Sequence, residues 1–249
     1  MRSDNDINPK VGYIEPINSL TDTFKMVLIL AFIIGALFFW GEFAYTNFYK
    51  PDVNIIVELK DEQTNAGIMI NADSVISPLK EAVKKNPKLI IIKANSGGGR
   101  IVQGERIYNY IKSIDIPIHT VIGDRCVSSC YYAISSSDKI YSSKSSEVGG
   151  IGVLHYTAPK NQLDNMPIIF AYSGTFKNPT PEKEYIHKHM KTSARIIHES
   201  MIKDIKIGRG KALKGSQEEL FEGLAWEGIR AKKLGLIDNF GSIDSLLEE

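Results

Sequence analysis

From Val53 onward, short β-branched runs alternate with stretches of helical period, and this alternation most limits the folds open to the chain. The run Val53 to Leu59 reads as a strand. Ser74 to Lys85 carries apolar residues at helical spacing, with Pro78 expected to set the helix start near itself. Leu89 to Lys93 is a β-branched run of buried-strand type, and Asn95 to Gly99 is a turn. Ile101 to Lys112 is an amphipathic helix and Ile116 to Ile122 a further strand. A helix opening near Ser128 and a brief strand from Lys139 to Tyr141 follow. The pattern continues with one long helix over Glu182 to Lys206 and short helices near Ser216 to Phe221 and Glu227 to Lys233. Strand–helix alternation of this kind predicts an α/β fold around a largely parallel sheet.

Composition narrows the function classes. Of 249 residues, 43% are hydrophobic and 24% charged, which is globular and not disordered. The 30 basic and 29 acidic residues leave a net charge of +1, so no global field favours nucleic acid. Basic residues are denser between Lys183 and Lys214, but Glu184, Glu199 and Asp204 are interleaved and Glu182 precedes them; the segment reads as a solvated helix face.

Ahead of the alternating region lies a single apolar segment. Residues 1–24 are a polar tail. The run from Met26 to Gly41 has no charge and continues past Glu42 through Phe43, Ala44 and Tyr45. With Trp40 and Tyr45 as interfacial aromatics, residues 25–46 approach the roughly 20 residues that a bilayer requires. No Ala-x-Ala site follows the run, so it reads as an uncleaved anchor. Lys10 and Lys25 before it and Lys50 and Lys60 after it give almost no charge bias for orientation. Residues 51–249 form the expected globular domain.

Three segments could carry chemistry. Asn95-Ser-Gly-Gly-Gly99 follows a strand and exposes backbone N–H groups, yet it is no dinucleotide fingerprint and no phosphate loop. Ser128 stands where a strand gives way to a helix, so its hydroxyl points out of the turn beside the first helical N–H groups. Ser135, Ser136 and Ser137 read as solvated turn. Lys177, in Ser173-Gly-Thr-Phe-Lys177, can serve as a general base if burial lowers its pKa. His187 and His189, two apart, face different sides of a helix, and no Ser–His–Asp order appears. That leaves a Ser–Lys dyad. Cys126 and Cys130, at i−2 and i+2 from Ser128, are too few for a structural zinc site, and no metal site is expected. They read as reduced and buried, bridged, or redox-active.

Together these segments resemble the signal peptide peptidase A family of serine peptidases, the S49 type, over about Val53 to Glu249. That resemblance implies a Clp-protease/crotonase-like fold of stacked βαβ units, here preceded by one N-terminal transmembrane helix. The family's Asn-Ser-Pro-Gly-Gly turn is matched by Asn95 to Gly99. Its nucleophile segment, with Asp-Lys-Ile ten residues after the serine, is matched by Cys126 to Tyr132 and Asp138-Lys-Ile140. Its Gly-Ser-Ile-Gly-Val turn is matched by Gly149 to Val153, its Ser-Gly-x-x-Lys base segment ends on Lys177, and its closing helix and strand fall on Gly223 to Asp238.

The resemblance implies that Ser128 is the nucleophile and Lys177 the base, with backbone N–H groups of Gly98 and Ser129 forming the oxyanion hole. It implies no cofactor, peptide or protein substrates such as signal peptides, and a homo-oligomeric ring in which the lysine can come from a neighbouring subunit. It also places the catalytic domain outside the cytoplasmic membrane, where a Cys126–Cys130 bridge would persist and stiffen the turn. Three departures stand out: Gly97 replaces a proline, Gly150 replaces the serine that orients the lysine, and Ser129 and Cys130 replace two glycines. Ser146 or Ser173 is the available substitute for the orienting serine. A catalytically weak scaffold of the same fold is the rival reading, and an acyl-CoA-binding crotonase-like enzyme is a third that Ser128 with Lys177 argues against.

Overall fold

A computed structural model describes residues 18–48, 54–64, 67–154 and 183–248. The chain divides into two compact units, Met1–Lys50 and Pro51–Glu249. Within the first, α1 (Asn18–Phe48) is a single helix. Its stretch Thr23–Ala44 is long and apolar enough to cross a membrane: 22 residues at about 1.5 Å each give about 33 Å. Phe32, Leu37 and Phe38, on different sides of the helix, are all well exposed.

The second unit is built on one mixed sheet. Its strands are β1 (Asn54–Thr64), β2 (Gly67–Ile70), β3 (Leu89–Ser96), β4 (Ile118–Val127), β5 (Lys139–Ser142), β6 (Glu147–Gly149), β7 (Ala225–Glu227) and β8 (Asn239–Phe240). The main path runs β2-β1-β3-β4-β5-β8, with β6 joining β4 and β7 joining β6. Pairings β1–β3, β3–β4, β4–β5, β4–β6 and β5–β8 are parallel. The β1–β2 hairpin and β6–β7 are antiparallel.

Burial explains why these runs are strands. Ile90, Ile91 and Ile92 are completely buried on alternating faces. Ile90 and Ile92 join the main core under α2 (Ala72–Lys84), α3 (Ile101–Lys112) and α4 (Ser129–Ile134). The C-terminal helices α5 (Lys183–Arg209), α6 (Gln217–Phe221) and α7 (Gly228–Leu234) complete that core. Ile91 instead packs with Val121 and with Leu246 of α8 (Ile243–Leu247), which covers the opposite face.

Two expectations change. The first concerns α2, which begins at Ala72 and contains Pro78 in its interior. Asn71 caps it by accepting from the Asp73 N–H, and the Ala72 N–H donates to Gln103 Oε1. Pro78 lies on the exposed side, where water can satisfy the carbonyl left without its helical donor. The second concerns Ser135, Ser136 and Ser137, which are structural. Ser135 Oγ donates to the Tyr132 carbonyl, Ser136 Oγ donates to the Tyr108 carbonyl, and Ser137 Oγ bonds Thr120 Oγ1. Ser135 and Ser137 are buried.

Candidate active site

Ser128 occupies the sharp turn between β4 and α4. Parallel pairing of β4 with β6 runs Arg125↔Glu147, Cys126↔Val148 and Val127↔Gly149. The Ser128 N–H then donates to the Gly149 carbonyl at 2.8 Å, the last bond of that edge. At Ser128 the chain turns through φ 57° and ψ −128°, a conformation costly for a residue with a side chain. The Tyr132 N–H closes the first helical turn on the Ser128 carbonyl at 3.0 Å. Ser128 Oγ makes no capping bond, and the N–H groups at the start of α4 have no intrahelical acceptor.

The helix behind Ser128 is clamped. A Cβ on Gly104 of α3 would lie 2.4 Å from the Ser129 carbonyl oxygen, and one on Gly208 of α5 would lie 2.3 Å from the Ser135 carbonyl oxygen. Both ends of α4 therefore touch a neighbouring helix at backbone distance. Tyr131 Oη donates to the Leu236 carbonyl at 2.9 Å, and Tyr132 Oη donates to Asp204 Oδ2 at 2.5 Å. Burial pushes both phenols well above their usual range; at Tyr132 the bond to the Asp204 carboxylate adds to it. Cys126 and Cys130 are joined in a disulfide with their Cα atoms 5.2 Å apart, so a covalent link spans the Ser128 turn.

Gly98 lies against the serine. A Cβ there would fall 2.9 Å from Ser128 Cβ and 3.2 Å from the Ser129 nitrogen, and Gly98 holds φ at 101°, so the position demands glycine. Its carbonyl accepts from the Ile70 N–H at 3.0 Å and its N–H donates to Ser96 Oγ at 2.8 Å. Ser96 Oγ in turn donates to Asp61 Oδ1, while the Gly97 N–H donates to Asp61 Oδ2 at 3.2 Å. Asp61 was not singled out in the sequence; it looks there like any charged residue late in a strand.

Gly150, with φ 60°, sits against Ser128: a Cβ would come 3.1 Å from Val127 Cβ and 3.4 Å from the Ser128 nitrogen. Ser146 is not a free orienting hydroxyl. Its Oγ donates to the Gly123 carbonyl at 2.6 Å and accepts from the Ser143 N–H. Ser129 Oγ is buried with no hydrogen-bond partner among the described residues. Lys177 and Ser173 lie outside the described residues.

Ser128 and Gly150 open on a cleft of about 1030 Å³. Its apolar lining comes from Met69, Ile101, Val102, Val153, Leu154 and Ile197, and among the described lining residues Arg100 and Glu222 are the charged ones. Neither is an amine base. A hydroxyl on a strained elbow, with helix-start N–H groups beside it and an apolar trough in front, is suited to acyl transfer.

The family model for peptidase family S49 matches residues 111–249, the stretch from the end of α3 through the elbow to the C-terminal helix. The chain belongs to peptidase family S49. A protein from Enterococcus faecium described as a candidate signal peptide peptidase SppA is 27% identical over 219 residues, 80% of this chain and 62% of that one. A Na(+)/H(+) antiporter NhaA from Brucella abortus (strain 2308) is 29% identical over 192 residues, 68% of this chain and 24% of that one. This S49 chain thus spans less than two thirds of either relative. Among solved structures, the 1510-N membrane-bound stomatin-specific protease, in a serine-to-alanine mutant form, superposes with a TM-score of 0.54 at 18% identity, covering 80% of this chain and 84% of that one. The likeness, over 80% of this chain, supports the α/β fold.

Proposed function

We propose that this S49 chain is a membrane-anchored serine endopeptidase in which Ser128 is the nucleophile and Lys177 the general base. The observation that carries the reading is the Ser128 elbow, a strained hydroxyl residue opening on the cleft. Ser128 Oγ bonds to the substrate carbonyl carbon as its proton passes to neutral Lys177 Nζ. The tetrahedral oxyanion is received by the Ser129 N–H and by the Gly98 N–H. The C–N bond then breaks, the departing amine takes the proton from Lys177, and water hydrolyses the remaining Ser128 ester by the reverse route. Gly150 leaves the lysine without the hydroxyl that the resemblance supplies, so its orientation falls to other groups.

The apolar cleft favours substrates with apolar side chains, such as signal peptides and other membrane-derived or unfolded segments. The apolar α1 helix, long enough to cross a membrane, supports anchoring at the bilayer. The disulfide at the elbow suits the oxidising, extracytoplasmic side. Assembly as a ring, with Lys177 supplied within or between subunits, completes the proposal. Its test is cleavage of an apolar fluorogenic peptide by the full chain in detergent, with assembly state checked in parallel. Wild-type protein should cleave, Ser128→Ala should not, and Lys177→Ala should lose at least about 100-fold. An assembled wild-type protein that leaves the peptide intact supports the scaffold reading instead.

A further inference from the structure

We infer that Asp61 and Ser96 are positioning residues that hold the Gly98 N–H away from the oxyanion site and surrender it only to developing negative charge. The inference rests on the Ser128 reading above and deepens it. Each hydrogen-bonding group of the turn has one assignment. The single Ser96 hydroxyl proton goes to Asp61 Oδ1, so the Ser96 oxygen faces the Gly98 N–H with its lone pairs, at 2.8 Å. The second carboxylate oxygen holds the Gly97 N–H. A hydroxyl that donates to a carboxylate is itself a stronger acceptor, because bonds in a chain polarise one another. Ser96 is buried, so water does not compete for that bond.

This places a bound donor next to the nucleophile. Gly98 stands in van der Waals range of Ser128 Cβ, and its carbonyl is fixed separately by the Ile70 N–H. The peptide between Gly97 and Gly98 carries no side chain on either flank, so it can turn its N–H from Ser96 towards Ser128 without steric cost from a Cβ. A neutral substrate carbonyl is no better an acceptor than the Ser96 hydroxyl and does not displace it. A tetrahedral oxyanion is charged, and hydrogen bonds to charged acceptors are about twice as strong. The donor is thus withheld from the ground state and given only to the charged transition state, net of the bond to Ser96 that must break first.

Two variants and two readouts test this in the full chain in detergent. Deuterium exchange at the Gly98 amide, resolved by fragmentation mass spectrometry, should be slow in wild type. It should become roughly tenfold faster or more in Ser96→Ala, and faster at both Gly97 and Gly98 in Asp61→Asn. Unchanged exchange at Gly98 in Ser96→Ala overturns the inference. Labelling by a fluorophosphonate, in which Ser128 Oγ bonds phosphorus and fluoride departs, should speed up in Ser96→Ala roughly three- to tenfold, the rate equivalent of one net hydrogen bond. The peptide KM should fall with it, since the released N–H also serves the ground state. A merely structural role for Ser96 lowers the labelling rate and leaves KM unchanged or raised, and that result overturns the inference. Absence of labelling in wild type and Ser96→Ala alike overturns Ser128 as nucleophile, while the exchange readout judges the Asp61–Ser96–Gly98 network by itself.

Discussion

Ser128 holds φ at 57°, where a side chain costs about 1–3 kcal/mol that glycine avoids. Ser128→Gly should therefore raise stability by about 1 kcal/mol in a denaturant titration while abolishing labelling; a stability loss there would show that the turn is unstrained. Ser129 is the opposite case. Its hydroxyl is buried without a partner among the described residues, a loss of about 1–3 kcal/mol. Ser129→Ala should hold or raise the unfolding midpoint and keep activity, because the proposed oxyanion donor at this position is the backbone N–H. A large drop in midpoint would mean the hydroxyl has a partner after all. Ser128 stood out in the sequence because a small hydroxyl residue between an apolar strand and a helix start points out of the turn beside free helical N–H groups. Asp61 was invisible, because its role depends on β1 bringing it beside a turn 35 residues away in the chain.

At the scale of elements, α4 is six residues long and could not stand alone. It is held by contact at both ends, and Gly104 is the tightest point against its first residue. Gly104→Ala should cost about 1–3 kcal/mol despite the better helix propensity of alanine, and should slow labelling by displacing Ser129. Activity equal to wild type would mean α3 can retreat freely. The disulfide closes a short loop, for which chain entropy alone gives about 2 kcal/mol. Replacing Cys126 and Cys130 together by alanine should lower stability by about that amount, measured by denaturant midpoint with and without reductant; a double variant as stable as wild type would remove the bridge as a brace. Helices and buried strands with clear periodicity were legible in advance: α3 spans Ile101–Lys112 as its pattern requires. The short strands β2, β6, β7 and β8 were not, since two to four residues carry no period and owe their conformation to partners far along the chain.

For the molecule as a whole, the tyrosines that fasten α4 and α3 to the C-terminal segments, Tyr108 and Tyr132 at Asp204 and Tyr131 at Leu236, link stability to alkaline pH. Burial, with the Asp204 charge adding to it, pushes Tyr108 up to about 12, and Tyr131 and Tyr132 are raised further. The folded state thus holds phenolic protons that the unfolded chain releases near pH 10. Their contribution is complete below about pH 10 and falls as pH rises from there through the folded values. Stability should stay flat on their account between pH 7 and 9 and decline beyond 10, and Tyr132→Phe should flatten that decline; an identical slope in the variant would contradict the assignment. The α/β class and the strand-to-helix turn at Ser128 were readable because both rest on local pattern. The packing of α4 and the grip of Asp61 on the glycine turn were not, because both arise from contacts between distant segments. The central claim, that Ser128 is a peptidase nucleophile, is tested most directly by intact-mass and fragmentation spectrometry of the full assembled chain after treatment with a fluorophosphonate. One phosphonyl group on Ser128, lost in Ser128→Ala, is the predicted result; no adduct, or an adduct on another residue that survives Ser128→Ala, would contradict it.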